Sequence, residues 1–277
     1  MFEKFSRSWG LVKASASVLR SDKELLLFPI VSAVCTAIVA ATFIVPAIGL
    51  RIFDGNEPGV VEVLFGFAFY LCQYFVIFFF NTALVGAAMI RLEGGDPTVA
   101  DGLRIARSKF VAILGDAAIA ATVGLLLQAA EQRAGILGKI VIGIVGVAWT
   151  VATFLVVPVL VTRDIGPIDA VKESAALLKR TWGENLVGNA GIGLAFGLVT
   201  VLVALVFIAL VIGAAVTMGA VAATVLAIIG ALVLAFLAVF QAALSGVYSA
   251  ALYRYATDGT PPDGFGDGEL QAAFRTK

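Results

Sequence analysis

Asp116 is the only acid that sits well inside one of this chain's long apolar runs, Val111 to Ala130. A carboxylate in such a place reacts, binds a cation or is neutralised by a neighbour, because leaving it bare in an apolar medium is costly. Two facing acids that share a proton could do aspartyl-protease chemistry, but no second acid lies deep in an apolar run. Histidine is absent from the whole chain, so metalloprotease and other histidine-dependent mechanisms lose their ligand or base. The other polar groups at comparable depth are amides: Asn81, Gln73, Gln128, Asn189 and Gln241. If Asp116 and Asn189 meet, joined by the remaining amides, the set can bind a cation or a proton, or it can fasten helices together, the more usual work of isolated amides. A local alternative also stands. Lys109 lies about two helical turns from Asp116, where Lys109, Arg107 or water can reach it.

The elements that must position these groups are read from where charge is missing. From Asn185 to Tyr253 no Asp, Glu, Lys or Arg occurs, a run that suits two bilayer crossings of about 20 residues each. Leu25 to Leu50, about Val63 to Ile90, about Val111 to Ala130 and Ile140 to Thr162 supply four more. The chain is 61% hydrophobic and 14% charged, with a mean hydropathy of +1.03, which places it among polytopic membrane proteins. Backbone amides must be satisfied inside hydrocarbon and alternating barrel patterning is absent, so the expected fold is all-α with six transmembrane helices paired as three hairpins. The long run is expected to turn between Gly213 and Gly219. Of nineteen basic residues, only Arg51, Arg133 and Lys139 fall on one side of this scheme, so both termini are expected in the cytoplasm and the chain in the cell (inner) membrane. The first 24 residues carry mixed charge and no short apolar core, so no cleaved leader is expected. Cys35 and Cys72 lie in apolar runs and are read as packing residues rather than a disulfide.

Each hairpin is preceded by a segment of helical periodicity. Phe2, Phe5, Trp9, Val12, Ala16 and Leu19 recur at intervals of three and four in the first; Val99, Leu103, Ala106 and Phe110 follow Asp96-Pro97 in the second; Ile168, Val171, Ala175, Leu178 and Trp182 follow Gly166-Pro167 in the third. Asp96 is expected to cap the second helix and Pro97 to open it. Aligning Arg20, Arg107 and Arg180 suggests a threefold internal repeat, with units about 1–92, 93–163 and 164–257 in a single membrane domain, and a flexible cytoplasmic tail at 258–277.

Several segments resemble a family of uncharacterised prokaryotic six-helix integral membrane proteins, a domain of unknown function. These are Arg7-Ser8-Trp9 with Leu25 to Pro29, Arg91 to Thr98, Thr153 to Leu160, and Ser174 with Lys179 to Glu184. The resemblance implies the six-helix fold and brings no activity or catalytic residue. More remotely, alternating interfacial helices and hairpins look like membrane domains attached to glycerophosphodiester phosphodiesterases, without the hydrolase domain. Asp101 to Arg107 resembles the start of a CDP-alcohol phosphotransferase motif, but the Ala-Arg pair is shifted and the further aspartates needed to hold metal are missing.

The expectation is therefore a non-enzymatic membrane protein needing no cofactor or metal. Its leading role is membrane organisation or lipid handling, with Lys13, Arg20, Arg104, Arg107, Lys179 and Arg180 touching anionic lipid headgroups. A channel or transporter of ions or small solutes using Asp116 and the amides is the alternative, and a membrane subunit of a larger complex is a third. A narrow face of Gly188, Gly193 and Gly197 offers a route to a homo-oligomer, and a net charge of zero gives no sign of a nucleic-acid partner.

Overall fold

Apolar runs too long to stay in water become long helices, and the shorter amphipathic segments between them become helices that close one end of the bundle. The structure, a computed structural model, describes residues 13–50, 59–182 and 191–259, and the side chains of 180–182 and 191–196 are not described. All regular structure among the described residues is helical. In chain order the helices are α1 (residues 13–21), α2 (Leu27–Gly49), α3 (Val60–Leu92), α4 (Val99–Ser108), α5 (Phe110–Arg133), α6 (Ile136–Ala152), α7 (Val156–Thr162), α8 (Pro167–Trp182), α9 (Gly191–Thr217) and α10 (Ala220–Asp258). A 3₁₀ turn, Lys23–Leu26, runs into α2, its start capped by Asp22, whose Oδ1 accepts the Glu24 N–H at 3.2 Å. Among the described residues six helical stretches are long and apolar enough to cross a bilayer: Lys23–Gly49, Val60–Leu92, Phe110–Arg133, Ile136–Thr162, Gly197–Thr217 and Ala220–Asp258. The chain is a six-span, all-α membrane protein. α9 and α10 join at Gly219, whose φ of 91° only glycine adopts without strain, inside the turn region read from sequence.

The core is concentrated at one end. Residues 83–89 of α3 and 246–253 of α10 are buried there, and the apolar faces of the short helices cover them through Val18 and Leu19 of α1, Ala106 of α4, and Ala170 and Leu178 of α8. These amphipathic helices turn those side chains onto protein, although Ile168 of α8 remains 60% exposed. Towards the other end the helices present apolar surface to the surroundings, as with Val45, Ile136 and Val216, and lipid is the solvent that accepts it. Below, the first is called the basic end, because Lys13, Arg20, Arg107 and Lys179 lie on α1, α4 and α8.

Close backbone approach builds this end. A Cβ on Gly102 of α4 would stand 2.5 Å from Phe28 Cζ and 2.7 Å from the Ala83 carbonyl oxygen, so α4 lies directly on α3. The start of α4 differs from the sequence expectation. Thr98 is its cap, with Asp101 completing a capping box, and the Glu24 carboxylate accepts the Val99 N–H at 3.0 Å. Those bonds from Thr98 hold the Asp101 carboxyl below its usual range. Asp96 instead faces Arg91 at 3.6 Å. Cys35 and Cys72 are free, half-buried thiols.

The fourth span is not one helix. α6 ends at Ala152 and α7 begins at Val156, with Thr153, Phe154 and Leu155 between. Pro158 is the cause: it has no N–H to give the carbonyl of Phe154, and its ring crowds that carbonyl. Ser174 of α8, fully buried, bridges the gap, accepting the Leu155 N–H at 3.0 Å and donating to the Ala152 carbonyl at 2.6 Å. Ser174→Ala strands both groups, at a cost of about 1–3 kcal/mol. A fall of several degrees in the detergent Tm is expected at about 2–4 °C per kcal/mol, and an unchanged Tm would contradict the bridge.

Candidate functional site

Beside this break lies a cavity of about 340 Å³, walled by α2, α3, α5, the α6–α7 break and α10. Asp116 lines it from α5, six residues inside Phe110, about 9 Å along the helix axis. The residue is only 5% exposed, yet it makes no hydrogen bond or ion pair among the described residues. Lys109 does not reach back to it. Its Nζ donates to the Arg163 carbonyl at 3.0 Å and to Asp164 Oδ1 at 3.3 Å. Arg107 is exposed and makes no ion pair among the described residues, so neither of these two bases pairs with Asp116.

Donors and acceptors both line the walls. Thr150 donates its hydroxyl hydrogen to the Gly146 carbonyl at 3.0 Å, Thr153 to Trp149 at 2.9 Å and Ser249 to Gly246 at 2.9 Å. A hydroxyl has one hydrogen, so each offers the cavity lone pairs. Ser32, Asn81, Ser245 and Trp149, each able to donate a hydrogen bond, complete the polar lining, while residues such as Pro29, Phe80, Leu84 and Val157 make the larger, apolar part. Apart from Asp116, no residue that ionises lines the cavity among those described.

The structure divides the amides named from sequence. Asp116 and Asn81 share the cavity. Gln73 donates to the Thr36 carbonyl at 3.3 Å and leaves its Oε1 buried without a partner. Gln128, 3.4 Å from the Tyr70 hydroxyl that donates to it, borders a separate, largely apolar crevice of about 690 Å³ between α2, α3 and α5. Gln241 is half-buried on α10 and is not among the residues lining Asp116's cavity. Asn189 lies outside the described residues. The hydroxyls were not singled out from the sequence, although Ser245 and Ser249, four apart on α10, share one helical face.

At the basic end Lys13, Arg20, Arg107 and Lys179 are exposed and make no ion pair among the described residues. Arg104 meets Asp101 at 3.0 Å with its side chain 76% exposed, and the side chain of Arg180 is not described. Other bases are engaged within the protein: Arg163 pairs with Glu173 at 2.8 Å, and Arg254 with Glu93 at 3.8 Å and Asp258 at 3.6 Å. Hydrogen bonding to Tyr253, then Glu173, raises the Arg163 pKa further. Of the glycine face, a Cβ at Gly197 would meet nothing within 4 Å among the described residues; Gly188 lies outside the described residues, as do the surroundings of Gly193.

Residues 60–264 match the model of a family described as a family of unknown function, DUF6159. No curated protein matches the chain. The remoter likeness to membrane domains attached to glycerophosphodiester phosphodiesterases gains nothing from these comparisons.

Proposed function

Since the chain belongs to the DUF6159 family, which carries no activity to inherit, we propose from the cavity that it is a non-enzymatic membrane carrier passing an ion or small polar solute through the site at Asp116. The observation that carries this reading is the buried Asp116 carboxylate, without a hydrogen bond or ion pair among the described residues, lining a mainly apolar cavity that also holds several hydroxyls and Asn81. An ionisable group held in a span is expensive and points to a bound species or a moving one. The break in the fourth span supports it as well. Interrupted helices at membrane depth are tolerated where they line a cavity, and carriers build their sites there. The distribution of basic residues supports a basic end in the cytoplasm. Uptake of a panel of radiolabelled ions and small polar solutes into proteoliposomes tests the proposal. At least one should enter faster than into protein-free liposomes, with the gain lost in Asp116→Asn; equal uptake by parent and variant, or none by either, would overturn it.

A second reading, lipid handling by the basic end, is favoured by Arg20, Arg107 and Lys179, exposed on three separate helices and without an ion pair among the described residues. Each base near a membrane adds about 1 kcal/mol of attraction for acidic lipid. Replacing all three by Gln should weaken binding by about 3 kcal/mol, roughly two orders of magnitude, and strip co-purifying anionic lipid. Unchanged lipid content measured by mass spectrometry would remove this reading.

A further inference from the structure

What the Asp116 cavity takes can be narrowed from its lining, granted the reading of that cavity as a carrier site. We propose that the cavity binds one inorganic monovalent cation in exchange for one proton on the Asp116 carboxyl.

Charge balance selects the valence. Asp116 is the one ionisable residue among the described lining, and the bases nearest in sequence are turned elsewhere: Lys109 to Asp164, Arg107 to the exterior. From the neighbouring elements come only neutral groups, Ser32 from α2, Asn81 from α3, Thr153 from the α6–α7 break, and Ser245 and Ser249 from α10; no charged residue of α8 lines the cavity. A single negative charge in a poorly polarisable pocket is neutralised by one positive charge. A divalent ion would leave an uncompensated positive charge there, and such ions are usually held by several carboxylates.

Donor chemistry selects the kind of ion. The Thr153 and Ser249 hydroxyls spend their hydrogens on carbonyls of their own helices, so on the lining they share with Asp116 they serve as acceptors. Neutral hydroxyl and amide oxygens on the same lining as one carboxylate suit an alkali cation, whereas an anion would be repelled by that carboxylate. Among the described residues no cluster of three His, Cys, Asp or Glu offers a transition-metal site.

Proton and cation then compete for the same oxygens, and the step balances: the carboxyl O–H bond breaks, the proton leaves to water, and the cation takes its place against the carboxylate. Net charge in the cavity stays at zero in both states. One site that alternates between them exchanges the two ions one for one.

The test uses the full chain, purified in detergent and weakly buffered beside a pH dye, across mildly acid to mildly alkaline conditions. LiCl, NaCl, KCl, choline chloride and MgCl₂ are titrated in turn. At least one alkali chloride should release protons saturably, approaching one per chain in the more acid samples, with none released by choline and none by Asp116→Asn that retains its unfolding midpoint. Asn81→Ala should need several-fold more salt for the same proton count, which keeps the test open should the Asp116→Asn protein not fold. Saturable release by Mg²⁺ alone, undiminished release in Asp116→Asn, or no release by any salt would overturn the exchange. Asp116-dependent uptake of another solute with no proton release would overturn this inference and leave the carrier reading standing; absence of both removes the two together.

Discussion

Asp116→Asn is expected to abolish uptake while leaving the protein as stable as the parent or more so. Asn matches Asp in size and shape, so the cavity between α5, α3 and α10 keeps its form. What disappears is the charge. A charged contact is worth about 1.5–3 kcal/mol, so cation binding should weaken by about 10- to 150-fold. Ionising a carboxylate deep in a span also costs about 2.5–3.5 kcal/mol on insertion scales, a cost the neutral amide never meets. Function and stability should therefore move in opposite directions, measured as uptake into proteoliposomes and as the detergent Tm of the same preparation. A structural Asp116 would give the reverse pattern: a lowered Tm with uptake falling only as far as folded protein is lost.

The largest effect on folding is expected at Gly102. Any side chain there must displace the Phe28 ring or the backbone at Ala83, which a Cβ would meet at 2.5 and 2.7 Å. Phe28 is 2% exposed and Ala83 is fully buried, so neither has room to retreat. Gly102→Val should push α4 off α3 and open the basic end, costing about 3 kcal/mol or more, at the upper limit of ordinary overpacking. Gly197→Ala, where nothing lies within 4 Å, is the matched control and should be neutral or slightly stabilising, since Ala is the better helix former by about 1 kcal/mol. Folded yield and Tm by fluorescence-detected size exclusion read both. A Gly102→Val protein that elutes and melts like the parent would show that α4 does not pack as described.

The contrast between these two sites follows what a one-dimensional reading can hold. The six spans were legible because crossing a bilayer requires a run free of charge, a property of consecutive residues; the turn at Gly219 was legible because glycines at 213 and 219 interrupt the apolar pattern there. Asp116 stood out by being the exception in such a run. Its surroundings were not legible. Whether Lys109 neutralises Asp116 depends on Asp164, 55 residues away, which draws the ammonium off. The amides were the natural partners by depth, yet Gln73 turns to Thr36 and Gln128 to Tyr70, and only Asn81 shares the cavity among those described. The hydroxyls that do line it look, in sequence, like any Ser or Thr in a membrane helix. Pro158 marks a kink or an end in its span, but the Ser174 that fills the gap before it comes from a different helix and was hidden.

The most direct measurement is an infrared difference spectrum of the purified chain as alkali salt is added. Loss of a protonated-carboxyl band with matching gain of a carboxylate band is expected, and both should vanish in Asp116→Asn. A spectrum in which no carboxyl group changes state, or in which the change survives that substitution, would contradict the assignment of Asp116 as the group that holds the ion.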